Sequence, residues 1–398
     1  MLIGIVGKPS CGKSTFFKAQ TLANVDIASY PFTTIKPNHG TGFVRIECVD
    51  KEFNAKCNPR LGYCIDSKRF VPVELLDVAG LVPGAHEGKG MGNQFLDDLN
   101  QADVLIHIID VSGSVNEKGE PVPALSYDPL NDVRFLEHEL DMWYLRLIEK
   151  GWDRFARSVN QKKPELNKAV AKQLSSFRVT ENLVKDVRQK LQLPEEIMKW
   201  GKESLMQMAI ELRKATKPMV IACNKIDIPG AYGNFEKLKK VFPEHIIVPC
   251  SAEAELALRE AAKHELIKYL PGDDNFDMLK PEKLNEKQKN ALNFIKREVL
   301  DKFGSTGVQK VLDVAVFELL NYVAIFPGGM NKLEDQHGNR LPDCFLMPAG
   351  TTALDFAFRI HTDLGKNFIK AMDIKTRRPV GKEHVLKNRD VIEIVTSK

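Results

Sequence analysis

From Gly7 to Thr15, two glycines with four residues between them are followed by Lys13 and Ser14. That spacing suits phosphate chemistry. Gly7 and Gly12 permit backbone conformations and close approach that a Cβ would obstruct, and Lys8, Pro9, Ser10 and Cys11 complete the loop. Lys13 brings a point charge to β- and γ-phosphates, and Ser14 brings a hydroxyl for Mg²⁺. Ser14 and Thr15 open the helix-like stretch STFFKAQTL. Its N-terminus aims backbone N–H groups at an anion. Asp77, after the run VPVELL, supplies a carboxylate that holds Mg²⁺ through water, and Gly80 offers an N–H to a γ-phosphate. Glycines at 80, 84, 88, 90 and 92 make the loop beyond Asp77 one that γ-phosphate can order and hydrolysis can release.

A second group of residues reads a base. In Asn224-Lys225-Ile226-Asp227, Asp227 accepts from both N1–H and the exocyclic amine of guanine. Adenine would turn an N1 lone pair toward the same carboxylate. Hydrogen bonds to a charged group contribute about 1.5–3 kcal/mol each, so the preference should reach at least about tenfold. Ser251-Ala252-Glu253 follows HIIVPC and would offer a backbone N–H to the guanine carbonyl. The order and spacing of these groups imply a protein that binds GTP and GDP with Mg²⁺.

Strands must hold them. LIGIV (2–6), VPVELL (71–76), VLIHIID (104–110), PMVIAC (218–223) and HIIVPC (245–250) are short apolar runs, several without alternation. Parallel strands buried on both faces read this way, and helix-like segments between them make the class α/β. The gap from 110 to 218 is too long for one crossover. Val133, Leu136, Leu140, Trp143 and Leu147 form a coiled-coil-like seam. A second helical stretch over roughly 180–215 carries Val184, Val187, Leu191, Ile197, Trp200, Leu205, Met208 and Leu212, broken at Pro194. The two are expected to pack antiparallel as an insertion leaving and re-entering the sheet, with Trp143 and Trp200 in its core. The expected domains are 1–130 with 216–265 for nucleotide, 131–215 for the insertion, 266–321 as a helical connection, and 322–398 as a compact α+β unit.

The chain has 398 residues, 43% hydrophobic and 28% charged, as soluble globular proteins do. No apolar run approaches the ~20 residues that cross a bilayer, and MLIGIVGKPS lacks a basic leader; the expected location is cytoplasmic, away from membranes, and the expected state a monomer. Seven cysteines, an odd number, argue against a disulfide framework. Cys48, Cys57 and Cys64 have eight and six residues between them, unlike the short pairs zinc prefers; free thiols are expected. The net charge is only +4, but residues 359–398 hold ten Lys/Arg against five Asp/Glu, so that tenth carries +5 and the rest −1. Positive charge concentrated at one end points to a phosphate-bearing partner there.

These motifs resemble the Obg-type GTPases, and the helical insertion resembles that of the YchF branch, also called Obg-like ATPases. YPFTTIKPNHG (30–40) looks like the family's first switch and DVAGLVPGAHEGKGMGNQFL like its second. The resemblance implies a P-loop GTPase fold and has Thr34 closing over Mg²⁺ and the γ-phosphate. LPDCFLMPAGTT, DFAFRIHTDLG and RPVGKEHVLKNRDVIEIV resemble a TGS domain, a β-grasp module of RNA- and ribosome-associated proteins. Three departures stand out. The YchF branch usually degrades the base-reading motif and prefers ATP, whereas NKID is intact here. Ser10 replaces an Asn that assists potassium in related GTPases. Arg389-Asp390 replaces the usual Gly-Asp turn, adding a cation.

Lys13, with Mg²⁺ held by Ser14, Thr34 and Asp77, would neutralise charge in phosphoryl transfer to water. Leu81 stands where Ras-like proteins carry a water-orienting glutamine, and His86 is the candidate substitute. Slow intrinsic hydrolysis, accelerated by an activating partner, is therefore expected. The expected partner is structured RNA or the ribosome, met by Lys366, Lys370, Lys375, Arg377, Arg378, Lys382 and Arg389. Two rival readings are an ATPase of the YchF kind and a nucleotide-regulated binding module with incidental hydrolysis.

Overall fold

The structure is a computed structural model that describes residues 1–22, 38–78, 98–330, 332–335 and 337–397. Thr34, Gly80 and His86, and residues 30–37 and 79–96 of the switch-like segments that carry them, lie outside the described residues. The chain divides into two compact units, 1–14 with 76–250 and 15–75 with 251–398.

In the first unit, Leu2–Val6, Val104–Asp110, Met219–Asn224 and Ile246–Pro249 pair in parallel in that order. The registers Ile3↔Val104, Leu105↔Met219 and Val220↔Ile246 align their C-terminal ends on one edge. Every residue of Val104–Asp110 and Met219–Asn224 is buried, which is why these strands read as unbroken apolar runs. Val78 joins the same edge by donating its N–H to the Ile5 carbonyl at 3.1 Å.

The seam residues Val133, Leu136, Leu140 and Trp143 are buried along the helix Leu130–Glu149. Val184, Val187, Ile197, Trp200, Leu205, Met208 and Leu212 are buried in the second stretch, which is divided into the helices Glu181–Lys190 and Lys202–Thr216. Trp143 and Trp200 are core residues, and Trp200 stacks on Trp152 at 5.8 Å. The expected antiparallel packing is not found. Arg213 Nε bonds Asp141 at 2.8 Å, and three residues further along each helix Tyr144 meets Thr216 at 2.7 Å. The two long helices therefore run side by side in the same direction. The helices Trp152–Lys162, Leu166–Gln173 and Glu181–Lys190 lie between them in sequence and make the return.

In the second unit, Tyr63–Ile65 and Lys68–Asp77 form an antiparallel hairpin with Tyr63 stacked on Phe70 at 4.5 Å. The helix Ala252–Lys263 is tied down by a buried network in which Arg259, Tyr269 and Thr306 all bond Glu255. The helix Glu286–Ile295 starts at a capping box made by Asn285 and Gln288. The C-terminal part is a five-stranded sheet of Phe345–Pro348, Tyr322–Pro327, Val391–Thr396, Phe368–Asp373 and Arg378–Val380, in that order. Ile325, Phe356, Ala371 and Ile392 join the amphipathic helix Ala353–Ile360 to the sheet in one apolar core. Among the described residues, no helix is long and apolar enough to cross a membrane.

Candidate nucleotide site

The strand Leu2–Val6 ends one residue before Gly7, and the helix Lys13–Thr21 begins where the loop closes. The first N–H groups of such a helix have no carbonyl a turn earlier to bond, so Lys13 and Ser14 present donors to whatever fills the loop. Gly7 is required because a Cβ there would lie 2.5 Å from the Ile108 carbonyl oxygen. Gly12 has φ +94°, and its Cβ would lie 2.1 Å from Asn224 Nδ2. Ser10 also has positive φ and is exposed. Cys11 turns inward as a buried plug, its thiol pushed up to about 12 by burial.

The loop's two lysines have different roles. Lys8 is buried, with its Nζ 2.7 Å from the Val115 carbonyl, 2.9 Å from Asp132 and 3.9 Å from the centre of the Tyr127 ring. Its charge holds the loop onto residues 115–132 and does not face a ligand. Burial lifts the Asp132 carboxyl above its ordinary value, opposed by the Lys8 charge. Lys13 instead pairs directly with Asp77 at the end of the strand Lys68–Asp77. The cation expected to meet phosphate and the carboxylate expected to meet magnesium thus neutralise each other.

The base-reading turn is tied to the phosphate loop. Asn224 Nδ2 donates to the Cys11 carbonyl at 2.9 Å. Lys225 adopts φ +64° and sends its Nζ to Asp110 at 2.9 Å. Asp227 is half-buried, and its charge adds to burial in raising the Cys250 thiol. Ile226 N–H donates to the Cys250 carbonyl at 3.2 Å. Ser251, the next residue, belongs to the second unit, as do Ala252 and Glu253. There the Ser251 side chain caps the helix Ala252–Lys263 by accepting from Ala254 N–H, and its own N–H is given to the Thr306 carbonyl at 2.9 Å.

Asp110 was not apparent from the sequence as part of this site. It is fully buried and accepts from Ser112 N–H at 3.0 Å, Ser112 Oγ at 2.5 Å, Ser114 Oγ at 2.7 Å and Lys225 Nζ. Its only sequence signal is an acid closing an apolar strand, directly before Val111-Ser112-Gly113-Ser114. Buried charge persists where it is paired and hydrogen-bonded, so Asp110 fixes the backbone twist at Lys225 that presents Asp227.

The geometry accommodates a nucleotide with Mg²⁺. Two cradle positions exclude a Cβ, helix N–H groups face the loop, Asp77 pairs with Lys13, and the next residue in the chain, Ser14, is exposed.

Residues 2–133 match the family described as 50S ribosome-binding GTPase, 222–328 the G4 motif-containing domain of the Obg-like GTPase YGR210-like family, and 332–396 the TGS domain. The chain is 46% identical to the GTP-binding protein MJ1332 of Methanocaldococcus jannaschii, over 100% of this chain and 99% of that one. It is 25% identical to the ribosome-binding ATPase YchF of Buchnera aphidicola, over 94% and 88% of the two chains. The crystal structure of a GTP-binding protein from Pyrococcus horikoshii superposes with a TM-score of 0.79 at 38% identity, covering 100% of both.

Proposed function

Since this chain belongs to the YchF/Obg-like GTPase family, we propose that it binds GTP with Mg²⁺, hydrolyses it slowly unless a partner assists, and uses nucleotide state to switch its hold on the ribosome or another structured RNA. The observation that carries the guanine assignment is the bond from Asn224 to the Cys11 carbonyl. It couples an intact Asn-Lys-Ile-Asp turn to the phosphate loop, so Asp227 is presented at a fixed distance from the phosphates. Ser14, Asp77 and Thr34 would hold Mg²⁺, which supplies charge neutralisation on the β- and γ-phosphates. Lys13 would leave Asp77 for the phosphates, Gly80 would donate an N–H, and His86 would orient water.

The ribosome enters this reading through the name of the YchF relative and the description of the family matched by residues 2–133. It makes the expected location cytoplasmic. In it, residues 1–130 and 216–265 bind nucleotide, 131–215 are the insertion, 266–321 connect, and the TGS region from 322 onwards meets RNA. The ATPase names of YchF relatives favour one second reading, adenine nucleotide as substrate. Competition against labelled GDP separates the two. GTP should displace it at concentrations where ATP does not; equal displacement would refute the role given to Asp227. Sedimentation with ribosomes in GDP and in a non-hydrolysable GTP analogue tests the switch, and equal pelleting in both would exclude it.

A further inference from the structure

Three cysteines that the linear spacing sets apart converge in the second unit. The sulfur atoms of Cys48, Cys57 and Cys64 all lie within 4.8 Å of one another. Zinc with Zn–S distances of about 2.3 Å in a tetrahedron sets its sulfurs about 3.8 Å apart, so one small ion reaches all three. The fold explains the convergence. Cys48 directly follows the strand His39–Glu47, and a short helical turn at Asp50–Phe53 reverses the chain. Cys57 lies in the loop beyond it, and Cys64 sits in the hairpin strand Tyr63–Ile65 opposite Arg69.

Arg69 is the second, independent observation. Its side chain is only 1% exposed, yet among the described residues no carboxylate pairs with it. Its Nη1 donates to Cys57 Sγ at 2.9 Å and to the Leu341 carbonyl at 2.9 Å, and its Nη2 donates to the Pro342 carbonyl at 3.1 Å. A buried, unmatched guanidinium is costly. Neutral thiols do not offset it, but a zinc ion with four thiolates carries a net charge of −2 and does. N–H groups donating to ligand sulfurs are the usual outer support of such centres.

A fourth cysteine belongs to the segment that packs on this loop. Asn58 N–H bonds the Arg340 carbonyl and Arg60 N–H the Pro342 carbonyl, each at 2.9 Å, which pins residues 340–342 against the cysteine loop. Cys344 lies two residues further on, near enough to Cys48 and Cys57 to interact with them electrostatically.

We propose that Cys48, Cys57, Cys64 and Cys344 bind one structural zinc ion, with Arg69 as the hydrogen-bond donor that balances its charge. Each thiol loses its proton to solvent as its sulfur bonds the metal. Four protons are released, and zinc remains divalent throughout. The ion fastens the loop after His39–Glu47 to the segment leading into Phe345–Pro348, making this part of the second unit depend on metal.

The test is the metal content of the full chain, purified from zinc-supplemented medium and desalted. One equivalent of zinc is expected, falling at least about tenfold in Cys57→Ser or Cys64→Ser. A variant that fails to fold does not blunt the test, because the wild-type chain is also stripped with a chelator and reloaded with cobalt(II). Its near-ultraviolet charge-transfer intensity should correspond to four thiolates, and to three in Cys344→Ser. Metal-free wild-type protein, a cobalt spectrum of fewer than four thiolates, iron in place of zinc, or a disulfide among these cysteines would each overturn the proposal.

Discussion

Lys13, at the end of the phosphate loop, and Asp77, at the end of the strand Lys68–Asp77, are joined in a direct ion pair. In the proposed function nucleotide would separate them, since Lys13 would go to phosphate and Asp77 to Mg²⁺. Asp77→Asn leaves Lys13 free in the empty loop and takes a negative charge away from the phosphates. Without Mg²⁺ the variant should bind GDP at least about tenfold more tightly than the native chain, because a charge-assisted bond of about 1.5–3 kcal/mol no longer competes. With Mg²⁺ the order should reverse for GTP. Calorimetric titrations with and without the metal check both signs, and weaker Mg²⁺-free binding by the variant would contradict the exchange.

Asp227 offers two acceptors, and the proposed preference for guanine would rest on its charge. Asp227→Asn replaces one acceptor by an N–H donor, which faces the guanine amine donor to donor. GTP affinity should fall about ten- to a hundred-fold, the loss of one or two charge-assisted bonds. Xanthosine triphosphate, with a carbonyl in place of the amine, should recover much of that loss. Displacement of a fluorescent nucleotide by the two triphosphates measures the swap, and a variant that still prefers GTP would mean another group reads the base.

Much of this arrangement is visible in the sequence, and what is hidden is hidden for physical reasons. The runs at 104–110 and 219–224 announce buried parallel strands because, apart from His107 and the terminal Asp110 and Asn224, both faces are apolar. The seam from Val133 to Trp143 identifies which helix face is buried. Periodicity carries no direction, however, so it could not show that the helices holding Asp141 and Arg213 run the same way. Asp110 looks like any acid at a strand end until Lys225 and two serines are folded around it. Linear spacing did not show that the sulfurs of Cys48, Cys57 and Cys64 converge, since a helical turn and a hairpin shorten distances that intervening residues only count. Charge counting overstated the C-terminal cations, because Arg389 finds Glu52 at a separation of 337 residues.

That last pairing divides the cations of the TGS region into two groups. Glu52 bonds both Lys375, at 2.7 Å, and Arg389. Lys366, Lys370, Arg377 and Arg378 are exposed. If this region binds RNA phosphates, each phosphate left without its cation should lower the slope of log affinity against log salt by about 0.7–0.9. Lys370→Ala and Arg378→Ala should each do so, while Lys375→Ala should change the slope far less. Binding of ribosomal RNA across a salt series gives the slopes, and a dominant effect of Lys375 would reverse the assignment.

His107 lies in the fully buried strand Val104–Asp110, and its Nδ1 has no partner among the described residues. Burial depresses its pKa from 6.5 to about 3, helped by His245 and Lys8 and opposed by Glu137. The unfolded chain therefore takes up a proton below about pH 6.5 that the folded chain refuses. Stability from this group is complete above pH 6.5 and is lost as pH falls toward 3, by about 2 kcal/mol at pH 5 and on the order of 4 kcal/mol at the lower limit. His107→Leu removes the titrating ring from an apolar strand, so its urea midpoint should fall less between pH 7 and pH 5 than that of the native chain. At pH 7 the two proteins should differ little, because the lost ring leaves no hydrogen-bond partner of its Nδ1 behind. Equal losses of stability on acidification would mean that His107 is protonated in the folded chain, and that the strand interior is wetter than its burial implies.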